Sequence, residues 1–281
     1  MKLRSLLFVP GDRPERMEKA LGAGADAVIL DLEDSVAGER KGEARRAVAQ
    51  FVDSRSTAPL WVRINPLDTA ESDKDLAAVL PCHPDGIVLP KADGGASVAE
   101  LTRRLTERGN ATAKILAIAT ETPAAIFQLG TYGGAKRLAG LTWGAEDLPA
   151  AVGAVTSREA DGSFTPPYEL ARSLCLFGAA AAGVAPIETV YPDFRNLDGL
   201  AAYAAKARRD GFTGMMAIHP AQVPVINAAF TPSEAEVAHA RAVIAAFEAN
   251  PGAGALSLEG KMIDRPHLVQ AQRILAAAGG S

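Results

Sequence analysis

Residues 27–34 read Ala-Val-Ile-Leu-Asp-Leu-Glu-Asp, and this stretch contains the pattern on which the fold prediction depends. It opens with apolar residues that do not alternate with polar ones, as is typical of a strand buried on both faces. It closes with the acidic side chains Asp31, Glu33 and Asp34. We therefore expect a buried strand over Ala27–Leu32 that delivers carboxylates at its C-terminal end.

Seven further apolar runs of this kind occur along the chain, and most are separated by segments with apolar residues at helical spacing. The runs are Leu3–Val9, Leu60–Ile64, Gly86–Leu89, Lys114–Ala119, Gly140–Trp143, Pro186–Val190 and Gly214–Ile218. The helical segments are Glu15–Gly22, Gly42–Val52, Ser97–Arg108, Pro123–Leu129, Tyr168–Ala182, Leu197–Asp210 and Pro220–Ala229. Alternating strands and helices predict a parallel sheet. Eight units favour a closed (β/α)8 barrel, although a doubly wound open sheet also alternates in this way.

The C-terminal region lies outside this eightfold pattern. A helix is expected over Ser233–Ala249, because Ser233 and Glu236 form a capping pair. A breaker at residues 250–254 follows, then the segment Leu256–Asp264 and a short helix from about His267 to Ala277. We predict a barrel domain over residues 1–250 and a C-terminal helical flap over residues 251–281, which would pack on another surface such as a neighbouring subunit.

Composition narrows the class of protein. The chain has 281 residues, a net charge of −4 and 48% hydrophobic residues, which suits one large barrel domain. An acidic balance argues against nucleic-acid and anionic-membrane partners. Cys82 and Cys175 stand in no metal-binding or redox spacing. The apolar run Leu6–Val9 is too short for a signal peptide, so we expect a cytoplasmic protein with reduced thiols.

Polar residues follow nearly all of the predicted strands, where the active sites of such barrels lie. Glu121 and Asp147 follow adjacent strands and would point into one cavity. Two neighbouring carboxylates repel each other unless a cation or a proton lies between them. Oxygen ligands favour Mg²⁺, which typically takes one or two carboxylates together with waters and substrate. The alternative is that each residue only caps the helix that follows it.

Charged residues at other strand ends extend this predicted site. Arg63 interrupts an apolar strand and needs an anionic partner, which could be Glu33 or a substrate carboxylate held by its bidentate fork. Lys91 could form a Schiff base, but a metal would already supply the electrophile. Glu33 and Asp34 could bind metal-bound water or hold Lys91 and Arg63, and a purely structural ion-pair network is the alternative.

Several motifs, taken together, resemble a known family. The chain is similar to the citrate lyase β-subunit-like branch of the HpcH/HpaI aldolase family from about Leu3 to Gln272. The motifs are Arg4–Gly11 (RSLLFVPG), Asp31–Asp34 (DLED), Arg63–Pro66 (RINP), Leu89–Lys91 (LPK), Glu121–Pro123 (ETP) and Gly144–Leu148 (GAEDL). No single motif is decisive, but their order and spacing are specific.

The resemblance implies a TIM barrel, usually trimeric or hexameric, in which Glu121 and Asp147 bind Mg²⁺ and Arg63 binds a substrate carboxylate. The turn Gly144-Ala145-Glu146 would offer backbone N–H groups to that carboxylate. The tail motif Leu258–Asp264 resembles the segment that malyl-CoA lyase relatives bring over a neighbouring active site. Asp264 would then exchange a proton with the acetyl thioester carbon, while its alternative role is that of a helix N-cap.

The expected reaction is Mg²⁺-dependent cleavage or formation of a 3-hydroxy-acyl thioester such as citryl-CoA or malyl-CoA. Its products would be a 2-oxo acid, oxaloacetate or glyoxylate, and an acetyl thioester on CoA or on an acyl carrier. The alternatives are a pyruvate-type class II aldolase, a citrate lyase subunit inactive without its partner subunits, and a non-catalytic barrel that binds these ligands. The first resembles the rest of the superfamily but leaves the Asp264 tail unused.

Overall fold

The computed structural model describes residues 2–54 and 58–279 and consists of strands alternating with helices. The strands are β1 (Ser5–Pro10), β2 (Ala27–Asp31), β3 (Leu60–Arg63), β4 (Gly86–Leu89), β5 (Lys114–Ile118), β6 (Leu138–Thr142), β7 (Ala185–Glu188), β8 (Gly214–Ala217), β9 (Ala255–Leu258) and β10 (Lys261–Asp264). The helices are α1 (Pro14–Leu21), α2 (Lys41–Asp53), α3 (Ala70–Val79), α4 (Gly95–Glu107), α5 (Pro123–Ile126), α6 (Asp147–Val152), α7 (Pro166–Ala182), α8 (Leu197–Asp210), α9 (Gln222–Ala229), α10 (Glu234–Glu248) and α11 (Arg265–Ala278).

Strands β1 to β8 form a closed parallel barrel in sequential order, which confirms the predicted TIM (β/α)8 fold. The ring closes where β8 pairs in parallel with β1, with Leu6 opposite Met216. Gly214 is required at this seam, because a Cβ there would lie 1.8 Å from the carbonyl oxygen of Leu3. All eight strands were predicted, with bounds that differ from the observed ones by at most two residues at either end.

The barrel core consists of apolar side chains from every strand. The buried cluster comprises Leu6, Ala27, Ile29, Trp61, Val88, Leu116, Ile118, Ile187 and Met216. The Trp61 indole is fully buried, and Gly86 on the neighbouring strand makes room for it, because a Cβ there would lie 2.2 Å from the ring. Core packing therefore fills the barrel and leaves the C-terminal strand ends for polar residues.

The chain divides into two compact units, Leu3–Asn227 and a second unit that begins at Ala228. The first contains the barrel. In the second, α10 packs against α11, and the antiparallel hairpin β9–β10 joins the same small core, in which Val243, Ile263 and Ala271 are buried. The observed division therefore precedes α10, whereas the sequence pattern suggested a division at residues 250 and 251.

None of the described helices has both the length and the apolar character needed to cross a membrane.

Candidate active site

A cavity of about 350 Å³ lies at the carboxyl ends of the barrel strands. One side is apolar, with Phe8, Ile118, Val190 and Met216 among its lining residues. The charged lining residues are Arg16, Asp31, Asp34, Arg63, Glu121, Glu146 and Asp147. The structure thus brings polar residues from several strand ends together in one pocket, as the sequence pattern predicts.

Glu121 is buried in this cavity, with only 3% of its surface exposed. Its Oε2 accepts the backbone N–H of Lys91 at 2.5 Å. Gly144 leaves space for the side chain, because a Cβ at that position would lie 2.5 Å from Cγ of Glu121. The following helix is capped instead by Thr122, whose hydroxyl accepts the N–H of Ala125. Helix capping therefore does not explain Glu121.

Burial and neighbouring charge act on the protonation of Glu121. Burial in the apolar wall raises the pKa of Glu121 to about 8, and the carboxylates of Glu33 and Asp147 add to this effect, while the N–H of Lys91 opposes it. In the metal-free protein the group is therefore an acid that holds its proton near neutrality. A cation beside it would favour the carboxylate form.

Asp147 is the first residue of α6 and faces the same cavity, with its side chain 35% exposed. It makes no side-chain cap to that helix, whose N-cap residue is Glu146. Its Oδ1 lies 3.4 Å from Nζ of Lys91, the residue whose backbone binds Glu121. Lys91 thus contacts both predicted metal ligands, through its backbone and its side chain.

The donor set of the cavity fits a hard divalent cation. No histidine or cysteine is among its lining residues, whereas Glu121 and Asp147 supply carboxylate oxygens. No group of three or more His, Cys, Asp or Glu residues with metal-binding geometry occurs among residues 2–54 and 58–279. Mg²⁺ typically binds one or two carboxylates and completes its coordination with waters and substrate. Zinc sites typically include His or Cys ligands. The space that Gly144 leaves for Glu121 is consistent with this role.

Lys91 and Glu33 form the next layer of the site. Nζ of Lys91 donates to Oε1 of Glu33 at 2.9 Å, and Glu33 is only 4% exposed. Burial alone would lower the pKa of Lys91, but its hydrogen bond and attraction to Glu33 outweigh burial and raise that pKa. A Schiff-base lysine needs the opposite shift, so the geometry disfavours that role. Lys91 is instead a fixed cation between acidic groups.

Arg63 is held by a partner that sequence reasoning did not assign to it. Its Nε and one terminal nitrogen donate to the two carboxylate oxygens of Asp31, both at 2.7 Å. The other terminal nitrogen lies 3.0 Å from Glu33 and 3.5 Å from Asp34. We expected the bidentate edge of the Arg63 guanidinium to bind a substrate carboxylate. The structure corrects this expectation, because Asp31 occupies that edge. Glu33 is an ionic neighbour, as one alternative proposed.

The charges of Asp31 and Arg63 stabilise each other. Burial would raise the pKa of Asp31, but the hydrogen bonds and charge of Arg63 outweigh it and lower that pKa. Burial dominates at Glu33, whose pKa is raised despite Arg63 and Lys91. Asp31 is therefore the charged anchor of Arg63. Its position at the end of β2 was visible in the sequence, but its pairing with Arg63 at the end of the neighbouring strand β3 was not.

The turn before α6 only partly fulfils its predicted role. The N–H of Gly144 donates to the hydroxyl of Thr120 at 3.0 Å, so Gly144 does not offer that group to a ligand. Ala145 and Glu146 line the cavity. Their role in binding a carboxylate stays a prediction.

Two basic residues near the site were not identified from the sequence. Arg16 on α1 is exposed and lines the cavity. Nζ of Lys41 donates to the carbonyl oxygens of Leu32 and Glu33 and to Oδ1 of Asn65, and thereby fixes the loop that carries Glu33. Arg16 lies in the first turn of α1, six residues after the end of β1, which is a weak sequence indication. Nothing in the local sequence indicates the long-range role of Lys41.

Asp264 lies in the second unit, at the end of β10 and at the N-cap of α11. Its Oδ1 lies 2.5 Å from Nδ1 of His267, and its backbone nitrogen lies 3.2 Å from the same ring nitrogen. The hydrogen bond with His267 lowers the pKa of Asp264. The N-cap position is thus observed, while the acid–base role stays a prediction.

Comparisons with known proteins agree with this architecture. A citrate lyase subunit beta-like protein of Mycobacterium tuberculosis is 39% identical over 97% of this chain and 94% of its own. A (3S)-malyl-CoA thioesterase of Cereibacter sphaeroides is 33% identical over 98% and 94%. The rat mitochondrial citramalyl-CoA lyase is 30% identical over 98% and 86%. The crystal structure of M. tuberculosis CitE in complex with magnesium, acetoacetate and coenzyme A has a TM-score of 0.82 and 37% identity, with 98% of both chains covered.

The family model for HpcH/HpaI aldolase/citrate lyase matches residues 4–220, which include all eight barrel strands and every cavity residue named above. The chain belongs to the HpcH/HpaI aldolase/citrate lyase family.

Proposed function

We propose that this protein is a Mg²⁺-dependent carbon–carbon lyase that cleaves or forms a 3-hydroxy-acyl thioester. The observation that carries the proposal is the placement of Glu121 and Asp147 in one cavity, with Lys91 in contact with both. Relatives named for citrate lyase and citramalyl-CoA support the reaction class. The magnesium, acetoacetate and coenzyme A bound by M. tuberculosis CitE support the ligand class.

Mg²⁺ held by Glu121 and Asp147 would supply Lewis acidity to oxygens of the hydroxyl and the oxo acid. Glu33 would act by holding Lys91 and Arg63, since it contacts both. Arg63 would contribute positive charge and its remaining N–H groups to a substrate carboxylate, with Ala145 and Glu146 supplying backbone N–H groups. Arg16 adds a second cation at the cavity.

In cleavage the hydroxyl becomes the oxo group and releases its proton to solvent, and the electron pair of the broken carbon–carbon bond stays on the α-carbon of the departing acetyl thioester. We propose that Asp264 delivers a proton to that carbon in cleavage and removes it in condensation. The residue lies in the unit that begins at Ala228, whereas the proposed metal ligands lie in the unit Leu3–Asn227. The assignment rests on resemblance, and it implies that the flap serves the site of a neighbouring subunit.

The proposed substrate is a CoA or acyl-carrier thioester, with oxaloacetate or glyoxylate as the oxo acid. A homotrimer or hexamer is proposed for the assembly, and association with citrate lyase subunits is the variant in which the chain needs partners. We propose a cytoplasmic location, because Cys82 and Cys175 are both free.

Thioester hydrolysis is a second candidate, favoured by the relative named (3S)-malyl-CoA thioesterase. In that reaction water would attack the thioester carbonyl, and the carbon–carbon bond would stay intact. The products then differ, because hydrolysis gives free CoA and a hydroxy acid, whereas lysis gives an acetyl thioester and an oxo acid.

The test is a screen of the purified full chain with Mg²⁺ against citryl-, malyl- and 3-hydroxy-3-methylglutaryl-CoA, with products identified by mass spectrometry. We expect an oxo acid and an acyl-CoA from at least one of them. Free CoA with hydroxy acid would favour the thioesterase. Aldol cleavage only of substrates without CoA would favour the pyruvate-type aldolase, and binding without turnover would favour the non-catalytic barrel or a subunit that lacks its partners.

A further inference from the structure

Glu188, the last residue of β7, is a fully buried carboxylate that is not among the lining residues of the cavity. Its Oε2 accepts Nε of Arg172 at 2.7 Å, and Arg172 in turn donates to Asp210 at 2.9 Å. A buried carboxylate is costly unless it is paired and hydrogen-bonded. Arg172 meets that requirement from one side of the group.

The other oxygen of Glu188 collects three donors. They are the indole Nε1–H of Trp143, the backbone N–H of Thr189 at 2.9 Å and the hydroxyl of Tyr203 at 3.0 Å. Burial and the Glu188 carboxylate raise the pKa of Tyr203 well above its ordinary value, so its hydroxyl is a donor. Of these three residues, Trp143 and Thr189 line the cavity, whereas Tyr203 does not. Glu188 thus holds two residues of the pocket wall without itself lining the cavity.

Trp143 also connects Glu188 to the proposed metal ligands. It directly precedes Gly144, whose N–H donates to the hydroxyl of Thr120, the residue before Glu121. The residue pair 143–144 is therefore tied on one side to the end of β5 and on the other to the end of β7. Asp147 follows three residues later.

The outer edge of the indole is held as well. Phe164 packs edge-on against Trp143, with ring centroids 4.9 Å apart and planes at 67°. The guanidinium of Arg158 lies 4.0 Å above the Phe164 ring. The indole, only 1% exposed, is thus confined between the carboxylate behind it and an aromatic contact from the loop before α7.

We infer that Glu188 is a positioning residue: through its bond to the indole of Trp143 it fixes the cavity wall and the start of the Gly144–Asp147 segment, and so sets the affinity for the divalent cation and the oxo acid. This inference rests on the proposed function of that cavity. Partners behind metal ligands typically contribute about 10- to 100-fold to metal affinity or activity.

Two matched variants separate positioning from simple stabilisation of a buried charge. Trp143→Phe removes the indole N–H and keeps an aromatic ring against Phe164. Tyr203→Phe removes the other side-chain donor to the same oxygen, but Tyr203 is not a lining residue of the cavity. If the hydrogen bonds to Glu188 only stabilise its buried charge, the two substitutions should change ligand affinity equally.

The experiment titrates Mg²⁺ and oxaloacetate into the full chain of both variants by calorimetry, alongside thermal unfolding. We expect both variants to lose stability. Trp143→Phe should weaken Mg²⁺ and oxaloacetate binding about tenfold or more, while Tyr203→Phe stays within about twofold of the unsubstituted chain. Equal affinities in the two variants would overturn the inference. Failure of the unsubstituted chain to bind either ligand would contradict the proposed function instead, because these titrations do not depend on turnover.

Discussion

At the scale of single residues, two buried carboxyl groups of the site, Glu33 and Glu121, have pKa values that burial raises. Glu121 is buried beside Glu33 and Asp147, and burial raises its pKa to about 8. Lys91 supplies the nearest cation, but its Nζ is bonded to Glu33 and lies 3.4 Å from Asp147. The arrangement is therefore short of positive charge near Glu121, which is the property expected of a cation site.

This imbalance predicts that Mg²⁺ binding releases a proton from Glu121. Below pH 8 the carboxyl is mostly protonated in the metal-free protein, so the cation must displace that proton, and above pH 8 it need not. Apparent Mg²⁺ affinity should therefore rise about tenfold per unit between pH 6 and pH 8 and then level off. Calorimetry in buffers of different ionisation enthalpy measures the proton. Glu121→Gln should bind Mg²⁺ weakly and without proton release, and pH-independent binding by the unsubstituted chain would refute the linkage.

The sequence alone predicted Glu121 and Asp147 as metal ligands, but it did not predict all of the residues that contact the groups around them. Glu121 and Asp147 were recognisable because each follows a strand, and strand ends converge in a barrel. The pairing of Arg63 with Asp31 was missed, because Asp31, Glu33 and Asp34 are three acidic candidates within four residues and only the strand register distinguishes them. Glu188 was missed because one acidic residue in an apolar strand does not reveal its side-chain donors, which lie 15 to 45 residues away.

At the scale of elements, the strands were easier to predict than the helices around them. Strands buried on both faces form continuous apolar runs, and all eight were recognised. Helix α3 was not predicted, because Ala70–Val79 carries four charged residues that obscure its apolar face. One of them, Asp75, is fully buried and accepts Nε of Arg45 and both the backbone and side-chain N–H groups of Asn65. The hairpin β9–β10 was not predicted either, since its strands have only four residues each.

Barrel closure gives a prediction at this scale. Gly214→Ala would place a methyl group against the carbonyl oxygen of Leu3 at the β8–β1 seam, and backbone cannot move aside there without opening the pairing. We expect a loss of about 1–3 kcal/mol or more in the free energy of unfolding, measured by urea denaturation.

The matched control is Gly42→Ala in α2, where an added Cβ meets nothing within 4 Å. Alanine there should stabilise the chain by about 0.4–1 kcal/mol, because it restricts the unfolded state. Similar effects of the two substitutions would show that the seam tolerates a side chain and that the close contact at Gly214 is not a constraint.

At the scale of the whole molecule, the chain combines a barrel with a second compact unit that holds Asp264. Family membership follows from the match over residues 4–220. The fold class, the family and the site at the strand ends were accessible from the sequence, because each depends on pattern and order along the chain. The division before α10 was not, because the contacts of α10 with α11 depend on tertiary packing.

The proposed role of Asp264 at a neighbouring subunit predicts complementation. Asp147→Asn and Asp264→Asn should each be inactive alone, since each removes one required group. In a mixed oligomer formed by co-expression at equal amounts, about one quarter of the sites would combine an intact metal site with an intact flap, so about one quarter of the activity should return. Absence of recovery in verified mixed oligomers would mean that both groups serve the same chain, whereas full activity of Asp264→Asn alone would show that Asp264 is not required.

We propose that Glu121 and Asp147 hold the cation that makes carbon–carbon lysis possible. The most direct test of this proposal compares the unsubstituted chain with Asp147→Ala, measuring the 2-oxo acid and acetyl thioester formed from malyl-CoA or citryl-CoA with Mg²⁺ and with EDTA, and checking the fold of the variant by thermal unfolding. We expect equimolar products only from the unsubstituted chain with Mg²⁺, and a rate of lysis at least about 100-fold lower in the folded variant. Full Mg²⁺-dependent lysis by Asp147→Ala would contradict it.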